Sequence, residues 1–136
     1  MTTTSPPAPS PDRTTNGLTD YATRAGLTIH WAHTAHHAGY HHRTRTIWIQ
    51  PGLTDAETRS LLAHELGHAW YGDDGPQDDA NEARAWRWAA DLLITPEAYA
   101  AAEHHTGGHI PALAAALDVT AEIIHAYQDT LRRTTP

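Results

Sequence analysis

Over residues 27–33 apolar and polar side chains alternate, residues 47–49 form a short apolar run, and after residue 50 apolar positions recur at a helical period. "LTIHWAH" (27–33) has the period-two pattern of a half-buried strand. "RTIWIQ" (45–50) is the strongest strand signal in the chain, β-branched and aromatic. The intervening "HTAHHAGYHH" (33–42) reads as a loop or hairpin tip. The long helix that follows is clearly punctuated: Thr54 and Glu57 make a Thr-x-x-Glu capping box, and Gly72 before Asp-Asp-Gly-Pro ends it.

A second helix is predicted from Gln77 or Asp78 to Ile94. A third starts at Thr95-Pro96 and stops at Gly107-Gly108. Pro111 to Leu117 and Ala121 to Arg132 form a closing pair, the second helix capped by Thr120. Ahead of the strands, "LTDYATRAG" predicts a short helix capped by Thr19 or Asp20 and stopped by Gly26. The expected fold class is α+β: a small antiparallel sheet, with 45–50 as the edge strand beside the long helix, followed by a mostly helical C-terminal half.

The 136 residues suffice for one domain. Residues 1–17, rich in Pro, Thr and Ser, are expected to be a disordered tail, without the basic start and apolar run of a secretory signal. Residues 18–136 are then a single domain, with the C-terminal helix pair at about 109–133. No window approaches the ~18 apolar residues of a membrane span, so a cytoplasmic location is expected. The net charge of −7, from 16 acids against nine arginines, argues against direct nucleic-acid binding. There is no cysteine, so any metal must be held by His, Asp or Glu.

That restriction gives weight to "HELGH" at 64–68. On a helix, His64 and His68 lie one turn apart on one face and can reach a single ion. Glu65, one residue along, is placed to act as base on a water at that ion. A solvated polar stripe beside Leu61 is the bland alternative. The third ligand must come from elsewhere, because Tyr71 and Asp74 occupy the Gly and His positions of the His-Glu-x-x-His-x-x-Gly-x-x-His arrangement. A distant histidine or a carboxylate remains. Glu82 heads a stripe with Trp86, Ala89 and Leu93 on the second helix, where a lone carboxylate is costly unless paired or bound to metal. A salt bridge to an arginine is its other reading. Asp78 and Asp79 are runners-up that look more like helix caps.

"LLAHELGHAWYGD" followed by "EARAWRWAADLLITPEAY" resembles the ImmA/IrrE metallo-endopeptidases. The preceding "RTIWIQPGLTDAETRSLL" and the closing "IPALAAALDVTAEIIHAY" resemble the same family, so the likeness covers about residues 27–128. One departure is Arg84-Ala85-Trp86, where many members have Glu-Ala-Asn. The resemblance implies a zincin-like fold and a zinc endopeptidase with one Zn2+ per chain. His64, His68 and Glu82 would be its ligands and Glu65 its base. It also implies a helix-turn-helix repressor as the protein substrate. In zincins a tyrosine or histidine near the metal steadies the oxyanion, and Tyr40, His42 and Tyr71 are candidates. An edge strand at Ile47, Trp48 and Ile49 would pair with an extended peptide.

The histidines at 33, 36, 37, 41 and 42 are read as a biased loop over the cleft in preference to a second metal site. His104, His105 and His109 are read as surface residues. The closing helices carry a Leu-x-Val-Thr turn like that of DNA readers, but "TAEIIHAY" has no arginine before Arg132, so a helical cap on the core is preferred. Two rivals remain: a transcriptional regulator using that pair, and a metal-dependent protein that binds a partner without cutting it.

Overall fold

The computed structural model describes residues 13–33 and 35–134. The elements run α1 (Thr15–Arg24), β1 (Thr28–Trp31), β2 (Ala38–His41), β3 (Thr46–Ile49), α2 (Asp55–Tyr71), α3 (Asp79–Leu93), α4 (Pro96–Thr106), α5 (Ile110–Leu117) and α6 (Ala121–Thr134). The fold is a mostly helical α+β arrangement on a small mixed sheet.

Two sequence expectations about the sheet are corrected. Its order is β1-β3-β2, with β1 parallel to β3 and β2 antiparallel to it, so the sheet is not purely antiparallel. Residues 45–50 therefore form the central strand and not the edge. Its β-branched residues fit a pleated face packed on the core, and Ile47 and Ile49 are fully buried. Only Trp48 points outward, against His30 at 4.5 Å between ring centroids. Ile47, Trp48 and Ile49 thus have no free backbone edge to offer a peptide. β2 lies inside the stretch expected to be a loop or hairpin tip, and pairs antiparallel with β3 across the turn at 42–45. Ala38 and Tyr40 pack against the core while His41 is exposed, a pattern obscured by the glycine between the two inward residues.

The helices follow their caps. Thr54 and Glu57 make the capping box, and Gly72 closes α2 in the left-handed conformation at φ 68°. Asp78 caps α3 and Thr95 caps α4. α1 begins earlier than expected, at Thr15, because Thr14 supplies the cap by accepting from the Gly17 N–H. Of the disordered tail expected at residues 1–17, residues 1–12 lie outside the described residues, and 15–17 belong instead to the first turn of α1.

α2 is the axis of the molecule, with α1, α3, β2 and β3 around it. Leu62 and Leu66 are buried beneath the sheet, and Ala85, Ala89 and Leu92 of α3 are buried on the other side. The C-terminal pair closes the bottom of this core. Leu113, Ile123 and Ile124 are fully buried, and the Thr120 N–H donates to Ser60 Oγ on α2 at 3.1 Å.

One contact sets how closely the helices approach. A Cβ added at Gly67 would stand 2.8 Å from the Ala85 carbonyl oxygen. The obstacle is backbone and cannot swing away, so Gly67→Ala must push α3 outward. Overpacking of this kind costs about 1–3 kcal/mol. A thermal melt should show Gly67→Ala several degrees less stable than wild type; an unchanged melting temperature would show that the helices can part freely. Among the described residues, no single helix is long and apolar enough to cross a membrane.

Candidate metal centre

The close approach at Gly67 brings the first turn of α3 over the middle of α2. His64 and His68 are almost completely buried, at 8% and 5% exposure, and Glu65 is at 5%, so the stripe is not a solvated helix face. Both imidazoles turn their Nε2 atoms to one point on α3. Glu82 Oε1 lies 2.9 Å from Nε2 of His64 and 3.0 Å from Nε2 of His68. Three atoms each about 2.0–2.1 Å from a shared tetrahedral ion stand roughly 3.3 Å apart, so this spacing fits a metal with slight expansion. Two imidazole nitrogens and a carboxylate oxygen, with no thiol in the chain, suit a divalent transition metal.

Glu65 stands differently. It forms with His64 and His68 a group whose ligand atoms lie within 4.8 Å of one another. Its Oε2, however, is nearest the other nitrogen of His64, Nδ1, at 3.3 Å. The contacts of Glu82 are shorter and reach both Nε2 atoms, and Glu65 stands beside that point of convergence. Glu82 is 42% exposed at its side chain and sits at the rim of the site, not in the core. Among the described residues the loop histidines form no comparable group. His37 bonds Gln50 and His41 bonds Thr44. His104, His105 and His109 are exposed as expected.

Around this centre lie three side chains whose roles the sequence reading did not assign. Asp73, 8% exposed, accepts from Nδ1 of His68 at 2.8 Å and from Arg84 at 2.9 Å. A proton on Nδ1 leaves Nε2 as the lone-pair nitrogen, the state a metal ligand requires. Arg84 in turn lies over the Tyr71 ring, 3.9 Å from its centroid. Trp86 stacks flat on His64, 3.9 Å between centroids with 6° between planes. Glu82 and Trp86 are one turn apart on α3, so one helix face both meets His64's nitrogen and covers its ring. Asp73 was findable in principle, since a buried ligand histidine calls for a carboxylate behind it. Trp86 stood out as a member of the stripe headed by Glu82 and as a break in the family's pattern, not as a cover for His64.

The centre opens into a cavity of about 460 Å³ lined by His64, Glu65, His68, Glu82, Tyr40 and His36, among others. Of the three oxyanion candidates, only Tyr40 lines it. His42 and Tyr71 line the neighbouring cavity. Burial raises the Tyr40 pKa, opposed by the nearby Arg45 charge and hydrogen bond, so its hydroxyl keeps its proton at neutral pH. The wall of the metal cavity includes Ala38, Gly39 and Tyr40 of β2, the outer strand.

Buried histidines and a carboxylate converging between a sheet and two helices make a centre of the metallopeptidase type. The family model described as the IrrE N-terminal-like domain matches residues 22–126, and the chain belongs to that family, Peptidase_M78. No curated protein matches the chain.

Proposed function

We propose that this protein is a zincin-like, zinc-dependent endopeptidase, with one ion held by His64, His68 and Glu82 and with Glu65 as general base. The observation that carries this reading is the convergence of both Nε2 atoms on Glu82 Oε1 beside a second, buried carboxylate, Glu65. Bound zinc supplies Lewis acidity, bringing a water's pKa to about 7 and polarising the scissile carbonyl. Glu65 takes the proton of the attacking water and returns it to the departing amine. Asp73 holds His68 in the ligating tautomer, and the Trp86 ring fixes the plane of His64. Tyr40, protonated and at the cavity wall, is assigned to the oxyanion.

The substrate strand pairs with β2 and not with β3. β2 is an outer strand, and three of its residues line the metal cavity. Main-chain pairing at an edge needs an extended segment, so the cut falls in a flexible hinge of a partner protein. By family resemblance that partner is a helix-turn-helix repressor in the cytoplasm, whose basic surface complements a chain of net charge −7.

The test is direct incubation of the zinc-loaded protein with a helix-turn-helix repressor encoded beside it, with fragments mapped by mass. One cut between the repressor's domains, slower at high salt, is expected. A repressor left intact with zinc bound and the inducing conditions supplied would put the non-cleaving, partner-sequestering reading ahead.

A further inference from the structure

A second cavity, of about 760 Å³, adjoins the metal centre and is lined by Ala25, His42, Arg45, Trp70, Tyr71 and Gly72, among others. The two share a wall. Tyr40 lines the metal cavity, and its hydroxyl bonds His42 Nδ1 at 2.8 Å and receives Arg45 at 3.4 Å, both residues of the second cavity. Gly72 lines one and Asp73 the other.

The chemistry of this cavity is unlike that of the rest of the molecule. The chain is strongly acidic, yet Arg45 is half-buried with no carboxylate within 4.0 Å among the described residues. Its guanidinium spends two of its five N–H donors, on the Ala25 carbonyl oxygen and the Tyr40 hydroxyl. Arg24 and Arg43, its neighbours at the end of α1 and in the β2–β3 turn, also lack an ion pair among the described residues. By contrast, Arg84 and Arg87 are each matched to an aspartate. The backbone of Arg45 is left-handed, at φ 54°, where an L residue other than glycine is strained. That conformation is held by Arg45 N–H to His42 O at 3.2 Å and Thr28 N–H to Arg45 O at 2.9 Å, which fix where the side chain emerges. Trp70 and Tyr71 stand exposed on the same wall at 38% and 41%. Asp73, the one aspartate in the wall of the metal cavity, is already held by His68 and Arg84. The second cavity therefore offers a guanidinium beside aromatic side chains.

We propose that this cavity is a subsite for the side chain of an aspartate or glutamate in the bound peptide, with Arg45 as the charge that receives it and Trp70 as the apolar wall along its methylenes. An Arg–carboxylate contact in a partly desolvated cavity is charge-assisted and directional, so this subsite sets the register of the chain across the metal. It rests on the peptidase reading for the identity of the ligand as a peptide, but not for its detection, because the test reads binding.

The test uses the full-length Glu65→Gln protein, zinc-loaded so that nothing is hydrolysed. The probes are short fluorescein-labelled, C-terminally amidated alanine–serine peptides. Each carries one glutamate at successive positions and is paired with its glutamine twin. Fluorescence anisotropy should find one position at which glutamate binds about tenfold tighter than glutamine, an advantage that shrinks with added salt. Arg45→Lys should keep most of that preference and Arg45→Gln should abolish it, while Trp70→Ala should weaken both twins alike. Equal binding of the twins at every position would overturn the proposal without any variant. So would a preference surviving in Arg45→Gln, or one seen only when the peptide C-terminus is left free. A glutamate preference with no cleavage by wild type would leave the subsite standing and sink the peptidase reading; cleavage without the preference would do the reverse.

Discussion

Glu65→Gln should bind zinc as wild type does, melt at the wild-type temperature and lose about 10²–10⁴ in turnover, the worth of a general base. The amide keeps the size of the carboxylate and its place in the buried stripe, where Glu65 is 5% exposed. It keeps one oxygen for the contact with His64 but cannot take a proton from water. The ligands are His64, His68 and Glu82 in this account, so the metal content should not change. Turnover of a peptide spanning the cleavage site, measured alongside zinc content, separates the role of base from that of ligand. A variant with more than half of the wild-type rate would remove Glu65 from the mechanism. A variant that lost its zinc would make it a ligand.

His68→Ala should lose the metal and also lower the stability of the metal-free protein. His68 is the inner residue of the chain that runs through Asp73 and Arg84 to the Tyr71 ring. Removing the imidazole empties one ligand position and leaves Asp73, a carboxylate at 8% exposure, with Arg84 as its remaining partner. An orphaned contact at a buried charged group costs about 1–3 kcal/mol or more. Asp73→Ala is the milder counterpart. It keeps all three ligands and frees the tautomer of His68, a change typically worth about 10–100-fold in metal affinity. Zinc affinity by competition with a chelator, and melts of the metal-free proteins, check both. If Asp73→Ala bound zinc with wild-type affinity, the orienting role would be wrong even though the contact is there.

The sequence showed the parts of the site that lie on one helix, and the parts bridging two helices only in outline. His64, Glu65 and His68 are fixed relative to one another by the helix repeat, and the capping box at Thr54 and Glu57 placed that helix without ambiguity. Glu82 could be picked out because a carboxylate at the head of an apolar stripe needs a reason, although it sits at the rim, 42% exposed, and not in the core. Asp73 and Arg84 were not legible as a pair, since their meeting depends on the turn after Gly72 and the angle at which α3 returns. Trp86 over His64 depends on the same angle, which is set by the absence of a side chain at Gly67.

The sheet was misread for a different reason. Pairing order is a long-range property, and a strong strand signal at 45–50 carries no mark of which neighbours it has. Burial of Ile47 and Ile49 on one face is compatible with an edge or a centre. The strand that does lie at the cleft, 38–41, has one glycine, one alanine and one histidine among its four residues and a weak pattern of its own. It is held by its partner across the turn, with Tyr40 opposite Ile47 and Ala38 opposite Ile49.

The most direct measurement is the metal content of purified Glu82→Ala set beside wild type, by mass spectrometry of the metal after dialysis against a weak chelator. One zinc per wild-type chain and far less than one in the variant is the expected result, because Glu82 Oε1 is the point on which both Nε2 atoms converge. Full zinc in Glu82→Ala, or none in wild type prepared with zinc present, would contradict the account.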